Sequence, residues 1–391
     1  SMLDEEERRA VSRDCRGYEA ALERNWCGNI HFGGNPVVPS TLTALQATIQ
    51  QAAPPIRIVG RGHSFTPVAE CAGGTLISLA RLNRVLDFQE PTPSNVGCIT
   101  IEGGTTYSEV AKFMGQRGAL RNLPSCPQFT VAGAIATGTH GSGVKIQNLA
   151  ADVSMIEFVK ADGSLVRFDR EESPELLVGA RVHLGCVGIV SALTLDVVPY
   201  FDVATYRYDD VPLEAAIDAL PELWTLCDSL SVWTSGLGVG PGAGLCWMSF
   251  RHFSPFWDET AAAPAHTPPS VGGHLLTRSI KRYCTDDADA APMRSFTPTG
   301  TKPWHDGLTL TMAGAAETSM AAVDLQAEFF VPLEHAQPAI RAAAAAAARW
   351  TFSTPWGYQG EADRGLVDAF EFRQVKGDGA WLSPTDVDCL G

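Results

Sequence analysis

The sequence predicts an α+β protein that folds into two domains. The chain has 391 residues and is 45% hydrophobic, which is enough apolar sequence for one large core or two ordinary ones. Short strand-like runs alternate with helical patterns from Asn25 to about Tyr200, and Ala- and Pro-rich stretches separate the runs that follow. We therefore predict an N-terminal extension over 1–24, a first domain over 25–200 and a second domain over 201–391.

The elements of the first domain are assigned from periodicity. The segment 41–51 has apolar residues at 42, 45 and 49 behind a Ser40/Thr41 cap, a spacing that predicts an amphipathic helix. Concentrations of β-branched residues predict strands, which we place at 56–60, 75–78, 98–102, 153–160, 165–168 and 189–198.

The second domain contains fewer regular patterns. Strand-like runs occupy 245–250 and 325–331, and a linker or exposed insertion is expected at 261–273. The alanine-rich run from Pro338 to Ala348 predicts a helix.

Charge and cysteine content exclude several classes of protein. With 29 Lys and Arg against 44 Asp and Glu, the net charge is −15, so we expect no binding to nucleic acid or to an anionic membrane. The ten cysteines are scattered, without a C-x-x-C or a zinc-type Cys/His group. We therefore expect no metal site and a reducing compartment.

The hydropathy pattern predicts no membrane span. The most apolar window, 182–200, is interrupted by His183, Gly185, Gly188 and Asp196, whereas a spanning helix needs about 20 consecutive apolar residues. The opening residues, 1–9, lack the basic and then apolar order of a secretory signal. A cytoplasmic location is expected.

A glycine turn follows the predicted strand 56–60. Residues 60–64 read Gly-Arg-Gly-His-Ser, and two glycines allow a turn whose N–H groups face one concavity, a geometry that suits phosphate oxygens. The Rossmann fingerprint needs a third glycine and then a helix, and Phe65 and Pro67 exclude both. An ordinary turn with a solvated His63 is the alternative.

A second run of small residues occupies 130–143, with the sequence T-V-A-G-A-I-A-T-G-T-H-G-S-G. Such a run lets the backbone approach a large ligand closely, and Thr137, Thr139 and Ser142 can donate hydrogen bonds to it. With the glycine turn, it indicates a dinucleotide ligand. For His140 we favour a structural role over a catalytic one, since a catalytic base must reach the reacting proton.

The third motif is the alternating run 369–375, A-F-E-F-R-Q-V. In a strand this order places Glu371 and Arg373 on one face and Phe370 and Phe372 on the other. The charged pair can line a pocket that binds hydroxyls and stabilises developing charge on oxygen. A solvated pair on an exposed sheet face is the alternative.

In this order and spacing the motifs resemble flavoproteins of the vanillyl-alcohol oxidase type, and within them the branch of alditol oxidases and sugar-lactone oxidases. The resemblance extends from the opening Asn25-Trp-Cys-Gly-Asn through the three motifs and Leu184-Gly-Cys-Val-Gly-Ile to Trp381-Leu-Ser-Pro. It implies a two-subdomain PCMH-type FAD-binding domain over 25–200, followed by an α+β substrate (cap) domain over 201–391.

The resemblance also implies roles for individual residues. In this family the histidine of the Gly-His-Ser turn is bonded covalently to the flavin, and here that residue is His63. The residues that match the family's FAD site are Gly60, Arg61, Gly62, His63, Ser64, Ser125, Gly133, Thr137, Gly138, Thr139, His140, Gly141 and Ile189. Ser125, Glu371 and Arg373 would face the flavin from the substrate side as catalytic residues.

Two substrate classes remain open. The segments 303–306 and 325–335 look most like alditol oxidases, whose substrates are polyols such as xylitol or sorbitol. The segments 181–188 and 373–378 lean toward oxidases of gulono-, galactono- or arabinono-lactone. We favour alditols, and the implied reaction oxidises a terminal primary alcohol to the aldose, with dioxygen reduced to hydrogen peroxide. A dehydrogenase variant is the alternative.

One departure from the family pattern leads to a third functional hypothesis. Relatives of this type continue past the Trp-Leu-Ser-Pro stretch with another pocket strand, a lysine near the flavin and a terminal segment, whereas this sequence stops at Gly391. A flavin-binding remnant without turnover is therefore kept as an alternative.

Overall fold

The computed structural model describes residues 22–234, 244–254, 296–309, 326–347 and 370–391. Within these residues, strands form sheets of three, five and seven members, and helices pack against them. The α+β class is confirmed. Across the same ranges, no helix combines the length and the apolar character that a bilayer crossing requires. The linker predicted at 261–273 lies outside the described residues.

The first half of the chain contains the three- and five-stranded sheets. Its strands are β1 (Asn35–Val37), β2 (Ile56–Val59), β3 (Thr75–Ser78), β4 (Val85–Gln89), β5 (Gly97–Glu102), β6 (Val153–Val159), β7 (Leu165–Asp169) and β8 (Ile189–Val197). Its helices are α1 (Leu42–Gln51), α2 (Tyr107–Met114), α3 (Val131–Ala136) and α4 (Pro174–Arg181). The six predicted strands and the predicted helix are confirmed, with each end within one residue.

Local chemistry accounts for these elements. Thr41 Oγ1 accepts the N–H of Ala44 at the start of α1, and Leu45 and Ile49 form its buried face. The parallel sheet has the order β1-β3-β2, and the antiparallel sheet has the order β4-β5-β8-β6-β7. Every residue of β8 is buried, as expected for a strand with neighbours on both edges and a core on its faces.

The second half forms the seven-stranded sheet, in the order β12-β9-β11-β10-β14-β15-β13. The strands are β9 (Asp202–Pro212), β10 (Ser229–Thr234), β11 (Leu245–Ser254), β12 (Phe296–Pro303), β13 (Val331–Pro332), β14 (Phe370–Val375) and β15 (Cys389–Leu390). The helices are α5 (Leu213–Leu223), α6 (Trp304–Gly307) and α7 (Ala336–Ala347). The predicted alanine-rich helix is therefore confirmed and begins two residues earlier than expected.

The two faces of this sheet differ in polarity. In β10, Val232 lies between Met248 of β11 and Phe372 of β14, and all three belong to a core that includes α5 and α7. Because side chains alternate along strands, the neighbouring positions lie on the other face. That face carries Ser231 beside Arg373, and it turns toward the first half of the chain.

The strand predicted at 325–331 is largely wrong. Only Val331 of that run belongs to a strand, and 326–330 have no regular structure. Residues 326–329 are exposed overall and do not pack in a core, although the side chain of Glu328 is only 30% exposed. This stretch runs instead along the cleft described next.

Candidate active site

A cleft of about 1350 Å³ is lined by residues from both halves of the chain. The predicted site residues in its wall are Gly60, Arg61, Gly62, His63, Ser64, Ser125, Gly133, Thr137, Gly138, Thr139, His140, Ile189 and Arg373. The two remaining predicted residues, Gly141 and Glu371, line a small adjoining cavity that Ser125 and Arg373 share. The structure therefore brings the whole predicted set to one place.

The glycine turn 60–64 forms one wall of the cleft. A Cβ at Gly60 would overlap Thr130 Oγ1, so only glycine lets this backbone pass so close to Thr130. Gly62 has a φ of +70°, in the left-handed region that glycine adopts without strain. Its carbonyl accepts the N–H of Trp26 at 2.7 Å. The turn is thus held in a form that lets a ligand approach its backbone.

His63 presents a neutral imidazole at this wall. Burial lowers its pKa to about 4, and the positive charge of Arg61 acts in the same direction. Its ring stacks on Trp26 at a centroid distance of 5.3 Å and lies 4.5 Å from the ring of Phe129. A neutral imidazole keeps a lone pair on one nitrogen, which is the form that can act as a nucleophile.

The turn after α3 forms another part of the cleft wall. Thr137 Oγ1 donates to the Gly133 carbonyl at 3.1 Å. Gly138 has a φ of +68°, and a Cβ there would lie 2.8 Å from Pro384 Cδ. A Cβ at Gly141 would overlap the side-chain amide of Asn122. Close packing against neighbouring segments of the chain therefore explains why glycine occupies positions 138 and 141 of this run.

His140 is buried, and both of its ring nitrogens are hydrogen-bonded. Nδ1 lies 2.8 Å from the Gly141 carbonyl, and Nε2 lies 2.9 Å from Glu328 Oε1. A carbonyl and a carboxylate only accept, so a ring nitrogen that carries a proton donates to the partner beside it. A ring held on two sides fits the structural role that the sequence favours.

Glu371 and Arg373 lie side by side on β14, as the alternation predicts. Arg373 Nε is 3.5 Å from Glu371 Oε2, and both side chains are about seven-eighths buried, with 12% and 13% exposed. Glu371 Oε1 and Asn122 Nδ2 are buried and lack hydrogen-bond partners among the described residues. Both residues line the small cavity, where they offer an acceptor and a donor to a hydroxylated ligand.

Arg251 of β11 reaches the same small cavity and was missed from the sequence. It is only 6% exposed. Burial lowers its pKa, although the nearby carboxylate of Glu371 acts to raise it. The sequence could have indicated it, because Arg251 directly follows the predicted strand 245–250. Extending that strand by one residue places this charged side chain next to the buried Phe250.

Two other features of the cleft were also missed. Gly103 and Gly104 line it directly after β5, and a Cβ at either would overlap a backbone carbonyl, of Val190 and of Leu79 respectively. A pair of glycines after a strand is the same signal that identified the turn 60–64. Glu328, which joins His140 to Arg373, lies in the stretch misread as a strand.

Two observations on the described part of the chain concern metal ligands and cysteines. Those residues contain no cluster of His, Cys, Asp or Glu suited to a metal ion. The eight cysteines within them are free thiols.

Comparison with known proteins agrees with a flavin site. The family described as FAD binding domain matches residues 36–169. An alditol oxidase of a Streptomyces species is 32% identical over 328 residues, which cover 81% of this chain and 71% of that enzyme. The solved structure of cholesterol oxidase from Brevibacterium sterolicum has a TM-score of 0.52 at 18% identity, over 60% of this chain and 47% of that one. This last likeness concerns the fold alone.

Sugar-lactone enzymes match a shorter part of the chain. The L-gulono-1,4-lactone dehydrogenase of Mycobacterium tuberculosis is 36% identical over 47% of this chain and 42% of its own length. The D-arabinono-1,4-lactone oxidase of Eremothecium gossypii is 30% identical over 54% of this chain and 40% of its own. The chain thus spans about two fifths of these lactone enzymes. Taken with the cover of the alditol oxidase, these matches show that the chain belongs to the FAD-linked oxidases of the vanillyl-alcohol oxidase type, in the branch of alditol and aldonolactone oxidases.

Proposed function

We propose that the protein oxidises the primary alcohol of an open-chain polyol, such as xylitol or sorbitol, to the aldose, with FAD as cofactor and dioxygen as acceptor. One observation carries the proposal. The buried pair of Glu371 and Arg373 meets the cleft that also contains the neutral imidazole of His63. In the proposal, a cofactor site is therefore continuous with a hydroxyl-binding site.

The residues of the cleft fit FAD. Its volume of about 1350 Å³ is large enough for a dinucleotide, and the glycines of both walls leave room that a Cβ would fill. In the proposal, Gly60, Arg61, Gly62, Ser64, Gly133, Thr137, Gly138, Thr139, His140, Gly141 and Ile189 hold the cofactor, and His63 is joined to it covalently. The low pKa of His63 supports this assignment, since the neutral ring has the lone pair that forms the new bond. A methyl C–H bond of the flavin would break and the ring N–H would be lost, with the two protons passing to solvent and the two electrons to dioxygen.

When bound, FAD supplies the acceptor for the hydride that leaves the carbinol carbon, and dioxygen then takes the electrons to give hydrogen peroxide. Arg373 would stabilise the negative charge that develops on the alcohol oxygen as its proton passes to water, and this proton and the transferred hydride together supply the two hydrogens of hydrogen peroxide. The unpaired Glu371 Oε1 would accept a hydrogen bond from a neighbouring hydroxyl and orient the chain of the polyol. Ser125, at the junction of the two cavities, would contact the substrate beside them.

Oxidation of a sugar lactone is the second candidate function. It is supported by the two relatives that are named for sugar lactones, which match the chain at 36% and 30% identity. The match to the alditol oxidase spans more of both chains, and this favours a polyol as substrate.

A panel of substrates tests the proposal. Purified yellow protein is mixed without oxygen with xylitol, sorbitol, L-gulono-1,4-lactone and D-arabinono-1,4-lactone in turn, and loss of the visible flavin absorbance is followed. We expect the polyols to bleach the flavin and admitted air to restore the colour with production of hydrogen peroxide. If only a lactone bleaches the flavin, polyol oxidation is contradicted and lactone oxidation, the second candidate function, is supported. Bleaching by neither class would contradict both.

A further inference from the structure

We propose that Glu328 is a positioning residue that connects the FAD-binding wall of the cleft to the substrate-facing Arg373. The inference rests on the proposed function, because it concerns the residue that we expect to stabilise the reacting oxygen. Neither the sequence motifs nor the relatives' names assign any role to Glu328.

One oxygen of Glu328 joins the two halves of the site. Its Oε1 lies 2.9 Å from His140 Nε2 and 3.1 Å from Arg373 Nη2. His140 belongs to the first half of the chain and Arg373 to the seven-stranded sheet. The carboxylate therefore bridges a residue of the proposed FAD site and a residue of the proposed substrate site.

The charge of Glu328 suits this role. Burial acts to raise its pKa, but hydrogen bonding and attraction from His140, together with those from Arg373, outweigh it and lower the pKa to about 2. Glu328 is thus ionised near neutral pH. A permanent carboxylate between two proton donors makes charge-assisted hydrogen bonds, which are shorter and stronger than neutral ones.

The other contacts of Arg373 show what Glu328 adds. The Arg373 backbone is fixed by paired hydrogen bonds with Gly391, each 2.8 Å long. Its Nε faces Glu371 at 3.5 Å, and its Nη2 donates to Glu328. A guanidinium has five N–H donors, so these two contacts leave the N–H groups of Nη1 and the second N–H of Nη2 for a substrate. Glu328 and Glu371 together hold the plane of the guanidinium, and with it the direction of the remaining N–H groups.

Loss of this carboxylate should disturb catalysis more than binding. A guanidinium held by Glu371 alone can rotate, and misplacement of a catalytic group by about 1 Å can cost on the order of 10²-fold in rate. We expect Glu328→Gln to slow anaerobic flavin reduction by a polyol by about 10- to 100-fold. The polyol concentration that gives half the maximal rate should change by less than about threefold, since Glu371 keeps its own contact with the substrate.

A double-mutant cycle tests the inference. Flavin reduction is measured for wild type, Glu328→Gln, Arg373→Ala and the double variant. If Glu328 acts through Arg373, its substitution should have less than about a twofold effect once Arg373 is alanine. An equal loss in both backgrounds would show a general structural role and overturn the inference.

Further variants separate positioning from folding and from cofactor binding. Glu334→Gln, in the same segment with a side chain that is 78% exposed, is the control and should behave as wild type. Glu328→Asp keeps the charge on a shorter side chain and should recover part of the rate. Flavin content after gel filtration and the melting temperature of Glu328→Gln should match wild type. A loss of flavin in this variant would make Glu328 a cofactor-binding residue and contradict the inference.

The failure of this inference and the failure of the proposed function give different results. If no polyol reduces the wild-type flavin, the proposed function fails. If polyols reduce wild type and Glu328→Gln equally well, only the positioning role fails.

Discussion

Arg373 and Glu371 are neighbours on one face of β14, with Nε of the arginine 3.5 Å from Oε2 of the glutamate. The rings of Phe370 and Phe372 lie together on the other side, 6.4 Å apart. One strand thus separates an apolar core from a polar cavity, and a two-residue repeat in the sequence is enough to place both charges at the site.

The first prediction concerns Arg373. Replacement by alanine should lower the rate of flavin reduction by a polyol by about 10² to 10³, the usual effect of losing one charge-stabilising donor. Flavin content should stay close to that of wild type, because the glycine walls of the cleft are untouched. Stopped-flow absorbance and the flavin-to-protein ratio measure the two effects. Arg341→Ala, on the exposed side of α7, is the matched control, and an equal loss of rate and flavin in Arg373→Ala would make Arg373 structural.

The second prediction concerns the close approach at Gly60. An alanine there would overlap Thr130 Oγ1, and overpacking of this kind typically costs about 1–3 kcal/mol. We expect Gly60→Ala to lower the melting temperature and the flavin content together.

Thr130 offers a rescue for this variant. It precedes α3 without a side-chain capping hydrogen bond, so Thr130→Ala alone should be tolerated. In the double variant the nearest remaining atom of residue 130 is its Cβ, 3.4 Å from the new methyl group. Stability and flavin content should therefore recover. No recovery would show that the overlap with Thr130 is not what requires glycine.

The third prediction concerns stability and pH. Burial lowers the pKa of His183 to about 4, and its Nδ1 accepts the N–H of Gly185 at 3.0 Å. In the unfolded chain a histidine titrates near pH 6.5. Between pH 4 and pH 6.5 the unfolded state binds a proton at this histidine that the folded state does not. The contribution of His183 to the free energy of unfolding is therefore fully present above about pH 6.5 and is lost as the pH falls toward 4.

Chemical unfolding at two pH values checks this claim. In His183→Asn the side-chain oxygen can still accept the N–H of Gly185. Between about pH 7 and pH 5 the free energy of unfolding of this variant should fall by about 2 kcal/mol less than that of wild type. His335→Asn, with a side chain that is 64% exposed, should keep the wild-type dependence. If His183→Asn and wild type lose stability equally as the pH falls, His183 is not the cause of that loss.

Sequence patterns located those parts of the site that are contiguous in the chain. The turn at 60–64, the run at 130–143 and the strand at 370–375 each combine a local backbone form with characteristic residues, so each was visible without tertiary information. All three line the cleft or the small cavity beside it.

The residues that were missed depend on contacts between distant segments. Glu328 meets His140 across 188 positions of sequence, and its stretch is strand-like in sequence although no strand among the described residues pairs with 326–330. Arg251 is significant only because β11 lies beside β10, which brings its side chain to the cavity that β14 also lines. No local pattern contains this kind of information.

The covalent link at His63 is the most direct test of the account. Yellow protein is precipitated with acid, the pellet is washed and digested, and the flavin-bearing peptide is sequenced by mass spectrometry. We expect the flavin to stay with the pellet and to map to His63, whereas His63→Ala should release its flavin into the supernatant. Free flavin in the wild-type supernatant, or a flavin attached at another residue, would contradict the account.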